Sequence, residues 1–177
     1  MKKLLLHICC APCSTVPIKR LAEKYSVSGF FYNPNIYPSD EYFFRQKEFE
    51  KYLKELNIPA VSGKYNNESW EEAVKEYTKE SEGGKRCAIC YHLRLYETAL
   101  KAKELGYDLF TTTLTISPHK NAEMINKIGL EIQEEFGVGF LAENFKKQDG
   151  FKESCEMSRG KNMYRQDYCG CRHSIRI

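Results

Sequence analysis

The stretch His7-Ile-Cys-Cys-Ala-Pro-Cys-Ser14 directly follows the apolar run Leu4-Leu-Leu6 and directly precedes a segment with helical spacing, Ser14 to about Tyr25. A short apolar run bounded by a turn reads as a buried strand, here Lys2–Ile8. Cys9, Cys10 and Cys13 therefore sit where a first strand passes into a first helix. In open α/β folds that turn faces ligands, because the unpaired N–H groups of the helix start point at it.

The alternation continues along the chain. Pro17 is placed in the first turn of the first helix, where proline is tolerated. Val27–Tyr32 reads as a second strand, and Asn33–Ser39 as a loop by its prolines and asparagines. Ser39 is placed to cap a helix reaching Leu56, with Phe43, Phe49, Tyr52, Leu53 and Leu56 near one face. Ile58–Val61 is a short strand, Ser69–Lys79 a helix, and Cys87–Leu105 a long helix closed by Gly106. Asp108–Leu114, rich in threonine, is a strand. Ala122–Phe136 is a helix, Val138–Leu141 a last strand and Gly150–Lys161 a further helix. Strands alternating with helices predict an α/β fold: a three-layer open, mostly parallel sheet with helices on both faces. One domain is expected over 1–177, with a basic C-terminal segment, 144–177, packed on it.

Eight cysteines in 177 residues is a high count. Met1-Lys-Lys3 is followed by too short an apolar run for a secretory signal, and no stretch approaches a membrane span in length. A cytoplasmic chain is expected, with its thiols reduced, and its cysteine clusters then point to metal or redox chemistry. Net charge is only +3, but residues 144–177 carry eight Lys/Arg against four Asp/Glu, which leaves the rest slightly negative. Neither a Gly-x-Gly-x-x-Gly signature nor a Walker loop is present; cysteines stand where a phosphate loop would be.

Cys10-Ala-Pro-Cys13 and Cys87-Ala-Ile-Cys90 are each a C-x-x-C at a helix start, a position that favours the thiolate. Arg86 and Arg94 flank the second and act in the same sense. Two such pairs could converge as a four-thiolate site for zinc or an iron–sulfur cluster. The 73 residues between Cys13 and Cys87 suit a site built between sheet ends rather than a zinc knuckle. In Cys169-Gly-Cys171 a single glycine lets two sulfurs meet in a tight turn. Such a close pair reads either as a labile redox couple or as two further ligands.

Taken together, His7–Ser14, Asn33-Pro-Asn-Ile-Tyr-Pro38, Arg86-Cys-Ala-Ile-Cys-Tyr-His-Leu-Arg-Leu95, Thr112-Thr-Leu-Thr-Ile-Ser-Pro118 and Tyr164-Arg-Gln-Asp-Tyr-Cys-Gly-Cys171 resemble the QueH-type epoxyqueuosine reductases. That resemblance covers nearly the whole chain. It implies a fold similar to the PP-loop/HUP enzymes and an oxidoreductase that works without cobalamin. The reaction would be removal of the epoxide oxygen of epoxyqueuosine at the tRNA wobble position, which completes queuosine. It also implies a [4Fe–4S] cluster held by Cys9, Cys10, Cys87 and Cys90, and Cys169 and Cys171 as the catalytic, redox-active disulfide pair. Spacing instead pairs Cys10 with Cys13, so Cys13 stands as the rival ligand. A separate mononuclear iron beside the cluster, near Asp167 or the terminal cysteines, goes with the same resemblance.

Deoxygenating an epoxide to an alkene needs two electrons, two protons and loss of water. A dithiol supplies two electrons by becoming a disulfide, and an external donor must restore it. His7, His119 and Tyr168 are candidate proton donors. The C-terminal cations Lys146, Lys147, Lys152, Arg159, Lys161, Arg165, Arg172 and Arg176 alternate with Phe145, Phe151, Tyr164 and Tyr168, a pattern suited to tRNA phosphates and unpaired bases. The other readings are a zinc-binding nucleic-acid module and a tRNA sulfurtransferase. The second of these would need ATP activation, for which no loop is visible.

Overall fold

A computed structural model describes residues 1–175. Five parallel strands form one sheet: β1 (Lys3–His7), β2 (Ser26–Phe31), β3 (Ala60–Ser62), β4 (Leu109–Thr112) and β5 (Gly139–Phe140). Their order is β3-β2-β1-β4-β5. The helices are α1 (Ala11–Leu21), α2 (Ser39–Glu55), α3 (Asn67–Val74), α4 (Lys85–Glu104), α5 (Ala122–Phe136) and α6 (Gly150–Gly160). From β1 the chain winds outward through β2 to β3, then returns to the other side of β1 for β4 and β5. The reversal places a topological switch point between β1 and β4, and the crevice beyond their C-terminal ends is where such sheets bind ligands.

Side-chain alternation divides the core into two layers. Leu4, Leu6, Ile8, Val27 and Phe31 face α1 and α2, with Phe145 from the C-terminal region in the same cluster. Leu5, Phe30 and Phe110 face α4 and α5. Strands covered on both faces explain the unbroken apolar run Leu4–Leu6. Gly29 is required by close packing: a Cβ there would collide with Leu53 of α2.

Three local expectations change. Helix α1 begins at Ala11, one turn early, with Cys10 extended at the N-cap (φ −164°, ψ 160°). Pro12, not Pro17, takes the first-turn position. Pro17 lies inside α1, where it offers no N–H to the preceding turn. Ser39 is the first residue of α2 rather than its cap; Pro38 holds that place, and of the expected apolar face Phe49, Tyr52 and Leu53 are buried while Phe43 and Leu56 are exposed. Strand β4 stops at Thr112, where the Thr112 hydroxyl accepts from Leu114 N and starts a 3-10 turn, Thr113–Ile116. No helix among the described residues is long and apolar enough to cross a membrane.

Candidate active site

The early start of α1 explains the first thiol group. Cys10 is its N-cap and Cys13 its third residue, positions whose side chains meet across a helix start. Cys9 precedes them where the backbone has already left β1. The Sγ atoms of Cys9, Cys10 and Cys13 lie within 4.8 Å of one another, a donor set able to hold a metal. Cys9 is fastened to the 3-10 turn that follows β4: its N–H donates to Thr113 Oγ1 (3.3 Å), and its sulfur lies 3.4 Å from the same oxygen. The neighbouring Cys10 and Cys13 thiols hold Cys9 well below the usual thiol range. Cys13 draws Cys10 down, but its link to Cys9 and its burial push it up to about 12. Cys13 itself is raised, through Cys10, Cys9 and burial.

On α4, Cys87, Cys90 and Arg94 recur at helical spacing on one face. The Cys87 sulfur accepts from Gly83 N (3.2 Å). At Cys90 burial outweighs the cation: desolvation raises the pKa despite Arg94 nearby, contrary to the thiolate expected at a helix start. Arg94 is only 3% exposed. It donates to Asn33 Oδ1 (3.1 Å), and Asn33 Nδ2 donates to Ile8 O (2.9 Å). This chain ties α4, the loop after β2 and the end of β1 behind the thiols. Arg86, equally buried, donates through Nη1 to the carbonyls of Tyr77, Thr78 and Glu80.

The terminal pair sits in a segment held by side chains. The Cys169 and Cys171 sulfurs are 3.7 Å apart. Gly170 has φ +121°, and a Cβ there would press on Ile36 and Asn35. Its carbonyl accepts from Tyr37 N (2.8 Å), and Tyr168 Oη donates to Tyr37 O (2.6 Å). Arg45 is 2% exposed; it pairs with Glu41 (2.6 Å), reaches the Cys169 carbonyl (3.4 Å) and lies over the Tyr168 ring. Cys171 holds Cys169 low and is itself raised by Cys169 and burial. Within the pair, Cys169 thus gives up its proton more readily than Cys171.

The two thiol regions border adjoining clefts. The larger, about 300 Å³, is flanked by Cys9, Cys13, Arg94, Lys120, Asp167 and Cys169. The smaller, about 20 Å³, is bordered by Cys87, Cys90, Cys169 and Cys171. Cys169, Arg94 and Lys120 line both. Of the expected ligands, Cys9 borders the larger cleft and Cys87 and Cys90 the smaller, while Cys10 is buried beside Cys9; the rival Cys13 borders the larger cleft with Cys9. Only the Cys9, Cys10 and Cys13 sulfurs fall within mutual ligand distance among the described residues.

Other expected residues fare differently. His7 is fully buried: its Nε2 donates to Tyr32 O (3.0 Å), so Nδ1 accepts from Thr112 Oγ1 (2.9 Å). Burial, with Arg94 adding to it, drops its pKa to about 4. It is a neutral latch between strands, not a proton donor. Tyr168 has its hydroxyl proton committed to Tyr37 O, and His119 is exposed on the larger cleft. In the basic segment, Phe145 is buried in the core, and Lys146 Nζ is pinned to the carbonyls of Thr115 and Lys120. Arg165 is tied to Ser158 and Cys155. Lys147, Lys152, Arg159, Lys161, Arg172, Phe151 and Tyr164 are exposed; Arg176 lies outside the described residues. Sequence reasoning missed Arg45, whose place on a helix gives no sign of burial, and Asn33, taken only for a loop residue.

Residues 4–176 match the family model described as "Epoxyqueuosine reductase QueH". A protein of that name from Streptococcus pyogenes is 38% identical, over 98% of this chain and 71% of its own. The Thermotoga maritima protein of the same name is 39% identical, over 99% and 91%. Among solved structures, a predicted subunit of tRNA methyltransferase from Methanocaldococcus jannaschii superposes with a TM-score of 0.62. It covers 90% of this chain and 75% of its own at 12% identity, a likeness of fold.

Proposed function

The chain belongs to the epoxyqueuosine reductase QueH family, an oxidoreductase family, and from that premise we propose how its residues act on epoxyqueuosine in tRNA. The reading is a two-electron deoxygenation at the wobble nucleoside, carried out by a single α/β domain with the basic segment from residue 144, described to residue 175, packed on it. The observation that carries it is the meeting of two thiol groups, Cys9/Cys10/Cys13 and Cys169/Cys171, around the clefts at the β1–β4 switch point.

A [4Fe–4S] cluster fits the residues present. Thiols supply its ligands, and the buried N–H groups of Trp70 Nε1, Arg86 Nε and Arg94 Nε have no hydrogen-bond partner beside Cys87 and Cys90. An anionic, sulfur-rich group satisfies such donors. Cys9, Cys10, Cys87 and Cys90 would hold it, with Cys13 the rival for Cys9. We place a separate iron on the Asp167 side of the larger cleft. When bound, these centres supply one-electron transfer and a Lewis-acid iron.

The chain's own residues do the rest. Cys169 and Cys171 give up two electrons and two protons as their S–S bond forms. The epoxide loses its oxygen as water and becomes an alkene. An external donor reduces the disulfide again. Exposed Lys152, Arg159, Lys161 and Arg172 attract phosphates, while Phe151, on the larger cleft, and Tyr164 offer faces for an unstacked base. The test is a single turnover on epoxyqueuosine-containing tRNA with Cys169→Ser and Cys171→Ser. Loss of product in both supports the dithiol role; full product formation in either sinks it.

A further inference from the structure

The smaller cleft lies between α3, α4 and the terminal turn, with Glu82 and Lys120 also bordering it, and its unpartnered buried donors outnumber its unpartnered buried acceptors. Trp70 Nε1, Arg86 Nε and Arg94 Nε are all buried and unpartnered, and all three residues border it. One unpaired acceptor, Asn35 Oδ1, borders it too. An unmade hydrogen bond at a buried donor costs about 1–3 kcal/mol, and more when the donor is charged. At about 20 Å³ the cleft has room for one water. A single water cannot serve three N–H groups, two of them cationic, whereas anionic sulfur can. The surrounding atoms supply that sulfur: Trp70 packs in one buried cluster with Cys90 and Cys171, against Cys169. Trp70 is 2% exposed and is the chain's only tryptophan.

We propose that Trp70 Nε1, with Arg86 and Arg94 beside it, donates to the sulfur of the Cys87–Cys90 side of the metal centre and makes that centre easier to reduce. The proposal rests on the reading of Cys87 and Cys90 as ligands. Its physics is simple: the reduced centre carries one more negative charge, and hydrogen bonds to sulfur raise reduction potentials. Trp70 touches no substrate; it acts as a positioning residue through Cys90. Its indole also fills the space between α3 and the terminal turn, so the same side chain that tunes the centre screens it from water.

The experiment uses the full chain, purified anaerobically and loaded with iron and sulfide, and a potentiometric titration with a one-electron reductant. Trp70→Phe keeps an aromatic ring in place and removes the N–H. The expected result is an unchanged iron and sulfide count with a more negative midpoint. A tenfold lower reduced-to-oxidised ratio at fixed poise reads as a shift of about 59 mV. Full loading with an unchanged midpoint overturns the proposal. The wild-type chain gives an independent reading whatever the variant does. Emission from Trp70 is expected to be largely quenched on loading the metal-free chain and to return on chelation; emission indifferent to loading overturns the proposal as well. Cys90→Ser separates the two layers of inference. If it keeps wild-type iron and sulfide, the ligand reading itself has failed. If it loses them while Trp70→Phe titrates like wild type, only the donor role falls.

Discussion

The thiol group of Cys9, Cys10 and Cys13 and that of Cys169 and Cys171 meet at the larger cleft, through Cys9, Cys13 and Cys169, but are held in different ways. The first three sit on the exit of the central strand and the first turn of α1, between two layers of core. Their backbone is fixed by hydrogen-bonded elements on every side. The terminal pair belongs to no strand or α-helix, although Cys171 packs against Trp70 of α3 and Cys90 of α4. It rests on Arg45 and Tyr37 at one end, and at the other on Glu71, which faces Arg172 (2.9 Å) and His173 (3.2 Å). The difference matches the two tasks proposed for them. A metal platform has to keep its geometry, whereas a pair that cycles between dithiol and disulfide must shift its sulfurs from 3.7 Å to bonding distance and back.

The comparison breaks most visibly in the sheet. Phe110→Ala, in the core below the platform, is expected to cost about 3–5 kcal/mol, read in chemical denaturation, and to lower iron retention with it. Stability kept with iron lost would mean that the platform does not lean on the sheet. Next is pH. His7 titrates at about 4 when folded and near 6.5 when unfolded, so folding favours its neutral form. The metal-free chain should therefore hold its full His7 contribution above pH 6.5. It should lose about 3 kcal/mol of it as pH falls toward 4. His7→Asn should flatten that dependence; an unchanged slope would remove the latch role. The smallest effect belongs to the clamp. Glu41→Gln keeps an acceptor for Arg45 but loses the charge, and the Tyr164 hydroxyl contacts the same carboxylate. Amide exchange across 165–172 should quicken about fivefold, near 1 kcal/mol, with β1 unchanged. Equal quickening in β1 would erase the distinction between the two regions.

Much of the scaffold was legible because its signals are local. Leu4–Leu6 could only be a strand covered on both faces, and the asparagines and prolines of 33–38 could only be a loop. The boundaries of α1 were not legible. Proline tolerance pointed to Pro17, yet Pro12 serves the same purpose one turn earlier, and sequence does not rank the two. The site was half legible. Spacing proposed Cys10 with Cys13, the family resemblance proposed Cys9 with Cys10, and the fold gathers all three. Arg45 was hidden because a charged residue on a helix is ordinarily exposed; Arg94 was read as a flank of the C-x-x-C, and only its burial was hidden, for the same reason. Only the packing of distant segments, the terminal turn for one and Asn33 for the other, buries them. His7 was likewise readable as a reactive histidine until two strands closed over its ring.

The order of the chain gives the terminal clamp one more meaning. The last strand ends at Phe140, so the sheet, the α4 cysteines and the first thiol group all precede Cys169 and Cys171. The wall that these two provide for the smaller cleft is therefore added without any strand pairing. On the proposed reading, the segment that carries the redox pair is a cover laid over a finished platform, and it is the platform that would receive the metal.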